Sequence, residues 1–213
     1  MLSRTIQLWF KPWERDDLGR KRFGAWSQSY SGERYWIMDP LPEEVNLLDI
    51  IVGLSNAARY RGQTKFFYSV LQHSVLVSQA VEKLALERGW SAQEARAAAY
   101  EGLFHDAPEA YLGDVARPLK RMRAMREYRK VEALWEQAIF TQFNIKPTEK
   151  SRALVHEADH RVVLDEIFVI MTRPEMWADS GRYLDMEPLG VVVEELDRKE
   201  VIKRFVERYL ELA

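Results

Sequence analysis

Beyond residue 45 the apolar positions of this chain recur with a helical period. From about Tyr68 to Arg88, Val70, Val77, Ala80, Val81 and Leu84 form one stripe, and Gly89 marks its end. A shorter helix is predicted from Leu47 to about Tyr60, with Asn46 as N-cap and Gly62 just past its end. Ser91 is a further N-cap, and the helix it opens carries Ala95, Ala98, Ala99 and Gly102 on one face, small enough for a neighbouring helix to approach closely. Pro118 interrupts the pattern, which resumes through Tyr128 to Phe143 and again from Ser151 to about Met171. Val201, Ile202, Phe205, Tyr209 and Leu210 mark a C-terminal packing helix.

The first 45 residues differ. They are rich in aromatics (Trp9, Phe10, Trp13, Phe23, Trp26, Tyr30, Tyr35, Trp36), and roughly alternating flanks around Ser31-Gly32-Glu33 predict a β-hairpin before Asp39-Pro40-Leu41-Pro42 breaks the chain. The expected fold is therefore all-α, mainly a helical bundle, with a small N-terminal β-hairpin. One domain over 1–213 is expected: an aromatic extension (1–45), a helical core (46–172) and a C-terminal packing segment (173–213).

Composition narrows the chemistry. At 213 residues and 47% hydrophobic content the chain can bury one substantial core. A formal net charge of -2 gives no global attraction to nucleic acid or an anionic membrane, so an anionic ligand has to be held by locally placed cations. Cysteine is absent, which excludes disulfides, thiolate ligands and a cysteine nucleophile and leaves histidine and carboxylate as the strong metal-binding side chains. Met1 to Lys11 lacks the apolar core of a signal peptide, and nowhere do about 18 apolar residues run together, so the expectation is a soluble cytoplasmic protein.

Four ionisable residues interrupt the apolar faces. His73 belongs to the stripe of its helix; His105 and Asp106 follow the small-residue face; Asp159 sits among Val155, Val162 and Val163 at i−4, i+3 and i+4. Burying such groups costs several kcal/mol unless they are paired or metal-bound. Any one of them alone reads as a satisfied core histidine, a cap or a salt-bridge partner. Together, in the order His, His-Asp, Asp on three helical segments, they supply two imidazole nitrogens and two carboxylates, a donor set suited to a divalent cation.

The segments Phe67-Tyr68-Ser69-Val70-Leu71-Gln72-His73-Ser74, His105-Asp106-Ala107-Pro108-Glu109-Ala110-Tyr111-Leu112-Gly113-Asp114-Val115-Ala116-Arg117-Pro118-Leu119-Lys120 and Val155-His156-Glu157-Ala158-Asp159 resemble the HD-domain phosphohydrolases, and among them the bacterial 5'-deoxynucleotidases and related phage enzymes that remove triphosphate from dATP. The resemblance extends from about Trp26 to about Met171. It implies an HD-type helical bundle in which His73, His105, Asp106 and Asp159 are the metal ligands, and it implies a homo-oligomer. Two positions depart from the family pattern: Gln72 stands where glutamate often precedes the first metal histidine, and His156 where relatives often carry lysine. Only four histidines are present, with no adjacent pair of the kind that branches holding two metals tightly require, which favours one tightly held ion of Co, Mn, Zn, Fe or Ni, with a second bridged by substrate phosphate left open.

Glu109 lies close after the His-Asp pair, and a continuing helical turn places it beside the ion; the resemblance casts it as general acid/base. The same resemblance assigns Asp114 to sugar contact or proton handling, Lys120 to phosphate, and Arg59 and Tyr60 to the substrate, with Tyr60 stacking on a base and Pro118 walling the opposite side. Asp114 can equally be a turn residue and Pro118 a plain helix stop.

The leading reading is an enzyme hydrolysing small nucleotides, giving deoxynucleoside plus phosphate from a dNMP or plus triphosphate from a dNTP. Two other readings stay open. One is a non-catalytic regulator that binds metal and nucleotide. The other is a nucleic-acid-binding module using residues 117–130, where seven basic residues face one acidic residue, although an acidic total charge opposes extended phosphate tracking.

Overall fold

The computed structural model describes residues 13–178 and 186–213, so the aromatics Trp9 and Phe10 lie outside the described part. The protein is mainly helical with two small antiparallel hairpins at the N-terminal side. Strands β1 (Trp13–Arg15) and β2 (Lys21–Phe23) pair with Trp13 opposite Phe23; β3 (Trp26–Gln28) and β4 (Arg34–Trp36) pair with Trp26 opposite Trp36 and flank the turn expected at Ser31-Gly32-Glu33. The first hairpin was not legible in the pattern, because its strands are three residues long and turn one side chain or none fully inward.

The helices follow as α1 (Leu47–Asn56), α2 (Val70–Glu87), α3 (Ala92–Leu103), the short α4 (Glu109–Leu112) and α5 (Arg117–Lys120), then α6 (Arg126–Gln142), α7 (Glu149–Ile170), the single turn α8 (Glu175–Ala178) and α9 (Arg198–Leu212). Asn46 and Ser91 cap α1 and α3 as expected, accepting from the backbone N–H of Leu48 and Glu94, and Ser91 and Glu94 complete a capping box. Two expectations need correction. The first helix stops at Asn56, not near Tyr60, because Ala57 turns extended and Ala58 bridges Ser69; Arg59–Gly62 is a separate tight turn in which Tyr60 (φ 53°) and Arg61 (φ 58°) are left-handed. Pro118 does not stop a helix but sits in the first turn of α5, where its missing N–H leaves no intrahelical bond unmade.

Helix α3 lies along α2 through its small face, with Ala95, Ala98 and Ala99 buried and a Cβ at Gly102 within 3.2 Å of Val81. One apolar core runs from Val45 and Leu54 through Phe104 and Trp135 to Phe205 of α9, so the C-terminal helix packs as expected. The hairpin β3–β4 is tied onto this core. Asp49 accepts hydrogen bonds from the Ser31 amide (2.7 Å) and hydroxyl (2.8 Å), Trp135 Nε1 donates to the Ile37 carbonyl (2.9 Å), and Tyr35 meets the edges of Tyr111 and Trp135, which stack on each other at 4.0 Å. Each such aromatic pair contributes about 0.5–1.5 kcal/mol beyond its buried area, and the stack clamps α4, whose first residue is Glu109. No described helix is long and apolar enough to cross a membrane.

The tightest helix approach is at Gly53 of α1, where an added Cβ would fall 2.9 Å from both the Cβ and the carbonyl oxygen of Ala110. Backbone cannot yield there as a flexible side-chain tip could. Gly53→Ala is therefore expected to lower stability by about 1–3 kcal/mol despite alanine's better helix propensity, read as a lower denaturation midpoint at unchanged m-value.

Candidate metal centre and active site

The centre is assembled from the middle of α2, the turn after α3 and the middle of α7. Helix α2 delivers His73, which is fully buried, from an unbroken helix capped by Ser69. Helix α3 ends at Leu103, and the turn that follows presents His105 and Asp106 together. Helix α7, opened by a Thr148–Ser151 capping box, brings Asp159.

These side chains converge. His73 Nε2 lies 3.2 Å from Asp159 Oδ1 and 3.7 Å from Asp106 Oδ2, and His105 Nε2 lies 3.2 Å from Asp106 Oδ2. Ligand atoms sharing one tetrahedral ion at about 2.1 Å are roughly 3.4 Å apart, so the spacing fits a common cation. One donor atom each from His73, His105 and Asp106 falls within 4.8 Å of the others, whereas Asp159 stands outside that group, against His73 on one oxygen and Arg117 on the other.

The hydrogen-bond pattern points the same way. His105 Nδ1 donates to the Gly102 carbonyl at 2.8 Å, and His73 Nδ1 donates to Glu166 Oε1 at 2.5 Å, so in both rings Nδ1 carries a proton and Nε2 is the atom turned to the carboxylates. Both Nε2 atoms are buried without a hydrogen-bond partner, near the carboxylates but not aligned to them. Two buried Nε2 atoms beside two carboxylates make a donor set suited to a divalent cation. The donor set is nitrogen and oxygen only, which suits Zn, Mn, Co, Fe or Ni.

The field at the site is negative. Burial disfavours charge on the His105 ring, yet the neighbouring Asp106 outweighs it and raises the imidazole to about 9, while the histidines and Arg59 hold Asp106 and Asp159 below the usual carboxylate range against their own burial. The carboxylates that favour a proton on His105 favour a metal ion in its place.

A cavity of about 440 Å3 opens beside these residues, within the usual size of a small-molecule pocket of about 300–1,000 Å3. Asp106, Asp159, Glu109, Asp114, Arg59, Tyr60, Pro118 and Lys120 all line it, so of the residues singled out from sequence all but His73 and His105 share this one space. Arg61 and Arg117 line it too. A second cavity, of about 290 Å3, reaches His105, Asp106 and Glu109 past Arg129, Glu132 and Glu136.

Glu109 is buried, with Oε1 accepting from Lys120 Nζ at 2.9 Å and Oε2 without a partner. Burial, reinforced by the charge of Asp106, pushes its carboxyl up to about 8 against the pull of Lys120. Lys120 also donates to Glu132 at 2.6 Å, so the expected phosphate cation already serves two carboxylates. Arg117 donates to Asp159 Oδ2 at 2.9 Å, and Arg59 reaches Asp106 and Glu166, each at 3.3 Å. Tyr60 turns its hydroxyl to Glu166 at 2.6 Å. Of the two departures from the family pattern, Gln72 donates its amide to the Glu194 carbonyl at 2.9 Å, tying the C-terminal segment to α2, and His156 is exposed with its ring against His160 at 4.1 Å.

Glu166 and Tyr68 were missed as site residues. Glu166 is wholly buried two helical turns beyond Asp159 on α7, hence on the same face. Its signal was a carboxylate among Val162, Val163, Ile167 and Ile170, masked by the charged residues elsewhere in that stretch.

No protein-family profile matches the chain. Over 120 residues it is 34% identical to the uncharacterized protein YfdR of Escherichia coli, covering 56% of this chain and 59% of that protein. Over 98 residues it is 41% identical to an uncharacterized protein of Rhodobacter capsulatus, covering 45% of this chain and 47% of that one. The chain thus spans about half the length of the curated relatives it matches.

The raised carboxyl of Glu109 has a thermodynamic signature. Between its ordinary value of 4.5 and about 8 the folded protein holds a proton there that the unfolded chain has released, so this group's contribution to stability is complete below pH 4.5 and is lost as pH rises through 8. In chelator-treated protein, wild type should lose Tm across that window relative to Glu109→Gln, which has no carboxyl to ionise. Parallel Tm curves would show instead that Glu109 is ionised in the fold.

Proposed function

We propose that this protein is a divalent-metal-dependent phosphohydrolase of small nucleotides, cleaving the bond between phosphorus and the 5' oxygen to release a deoxynucleoside. The observation that carries the reading is the pair of buried Nε2 atoms facing Asp106 and Asp159, two carboxylates at the wall of a cavity that a third, buried carboxyl, Glu109, also lines. An ion holding only the fold together needs neither that cavity nor that acid. The HD-type pattern of His73, His105-Asp106 and Asp159 supports the same assignment.

A cation bound by His73, His105, Asp106 and Asp159 supplies Lewis-acid charge for the phosphoryl group and a nucleophile at neutral pH. The protein's own groups do the rest. Glu109, whose carboxyl burial pushes upward, stands beside the cluster, placed to give a proton to the departing 5' oxygen. It borders both cavities, so it can be reprotonated from the second while substrate fills the first. Arg59 and Arg117 each spend only part of a five-donor guanidinium on Asp106, Glu166 and Asp159, which leaves N–H groups for phosphate oxygens. Tyr60 and Pro118 offer apolar surface on which a base can lie.

Purified protein supplied with Co or Mn and each dNMP and dNTP in turn should release nucleoside, with phosphate as co-product for a nucleotidase and triphosphate for a triphosphohydrolase. Release of nucleoside from none of them, with metal bound, would sink the proposal. Glu109→Ala should retain metal while turnover falls about 10²–10⁴-fold; near-normal turnover would remove Glu109 from the mechanism.

A further inference from the structure

Glu166 has no part in the reading above as a ligand or proton carrier, yet it is the most heavily engaged carboxylate of the site. Its two oxygens serve different structures. Oε1 accepts from His73 Nδ1 at 2.5 Å and from the Tyr68 hydroxyl at 2.9 Å. Oε2 accepts from the Tyr60 hydroxyl at 2.6 Å and from Arg59 at 3.3 Å. A carboxylate offers about four lone-pair positions, and all four are in use.

One oxygen therefore faces His73 and the other faces Arg59 and Tyr60, two residues that line the cavity. The segment on the cavity side is held in an uncommon conformation: Tyr60 and Arg61 are consecutive left-handed residues without being glycine. That turn brings Arg59 and Tyr60 onto Glu166, and the same guanidinium reaches Asp106 on the other side of the centre. Helix α7 carries both Asp159 and Glu166, so a single rigid element sets the distance between a ligand and the acid behind another ligand.

We propose that Glu166 is a positioning residue that fixes the tautomer and orientation of His73 and links the metal centre to the Arg59–Tyr60 wall of the cavity. It never touches substrate; it acts through His73 on one oxygen and through the cavity wall on the other. Binding energy spent on Arg59 or Tyr60 is thereby transmitted to the metal centre, and by reciprocity the bound metal tightens the cavity wall. A carboxylate behind a ligating histidine raises its basicity, and removal of such a partner lowers metal affinity about 10–100-fold.

The inference rests on the metal-centre reading, and Co2+ binding separates the two. Wild type, Glu166→Gln and Tyr60→Phe are freed of metal with chelator, checked for cooperative unfolding, and titrated with Co2+ against a chromophoric chelator while the visible spectrum of the bound ion is recorded. If wild type binds no Co2+, the metal reading itself fails. If it binds, Glu166→Gln should lose 10–100-fold in affinity with an altered spectrum, and Tyr60→Phe should weaken binding by a smaller factor, although its hydroxyl rests on the oxygen not used by His73. Wild-type affinity and spectrum in Glu166→Gln would overturn the positioning role, and wild-type behaviour in Tyr60→Phe would overturn the link to the cavity wall. Should Glu166→Gln not fold, Tyr60→Phe alone decides.

Discussion

Charge balance in a buried space governs this site. Asp106, Asp159 and Glu166 are held ionised below their ordinary range despite burial, and the guanidiniums of Arg59 and Arg117 lie against them. Around the imidazoles, three carboxylates face two arginines, so the cluster lacks positive charge. The raised His105 shows that demand directly, since a buried ring would otherwise resist a proton. A cation between the two Nε2 atoms would answer it, and without a positive partner each ion would cost several kcal/mol in the interior.

The scaffold around the cluster holds those charges at fixed distances. The small face of α3 allows α2 and the His105-Asp106 turn to approach, Gly53 lets α1 meet Ala110 at backbone distance, and the Tyr35–Tyr111–Trp135 stack presses α4 inward. Core side chains pack at crystal-like density and do not adjust continuously. The aromatic hairpin region, remote from the chemistry in sequence, thus helps to set where Glu109 stands.

Acid and base roles separate by environment. Asp106 and Glu109 are near neighbours in sequence and both are buried, yet Asp106 faces two imidazoles and a guanidinium and stays ionised, while Glu109 faces Asp106 and a lysine shared with Glu132 and keeps its proton. Burial raises both carboxyls; the neighbouring positive charges outweigh it at Asp106, and the charge of Asp106 reinforces it at Glu109.

The sequence alone determined what depends on periodicity and on local chemistry. The helices around His73, His105 and Asp159, the caps Asn46 and Ser91, the hairpin turn at Ser31-Gly32-Glu33 and the four-residue donor set were all legible, because apolar stripes and capping side chains act within a few residues of themselves. Tertiary structure decided what depends on long-range approach. The left-handed turn at Tyr60 and Arg61 follows from the bridge of Ala58 to Ser69, and no residue type in that stretch announces it. Glu166 carried no local signal of its role behind His73; packing alone seals it against His73, Tyr68, Tyr60 and Arg59. Lys120 looked like an available cation until two carboxylates from other elements closed on it. A side chain's charge is read from its letter, but its partner is chosen by whatever the fold brings within about 3 Å of it, and only the assembled helices set that distance.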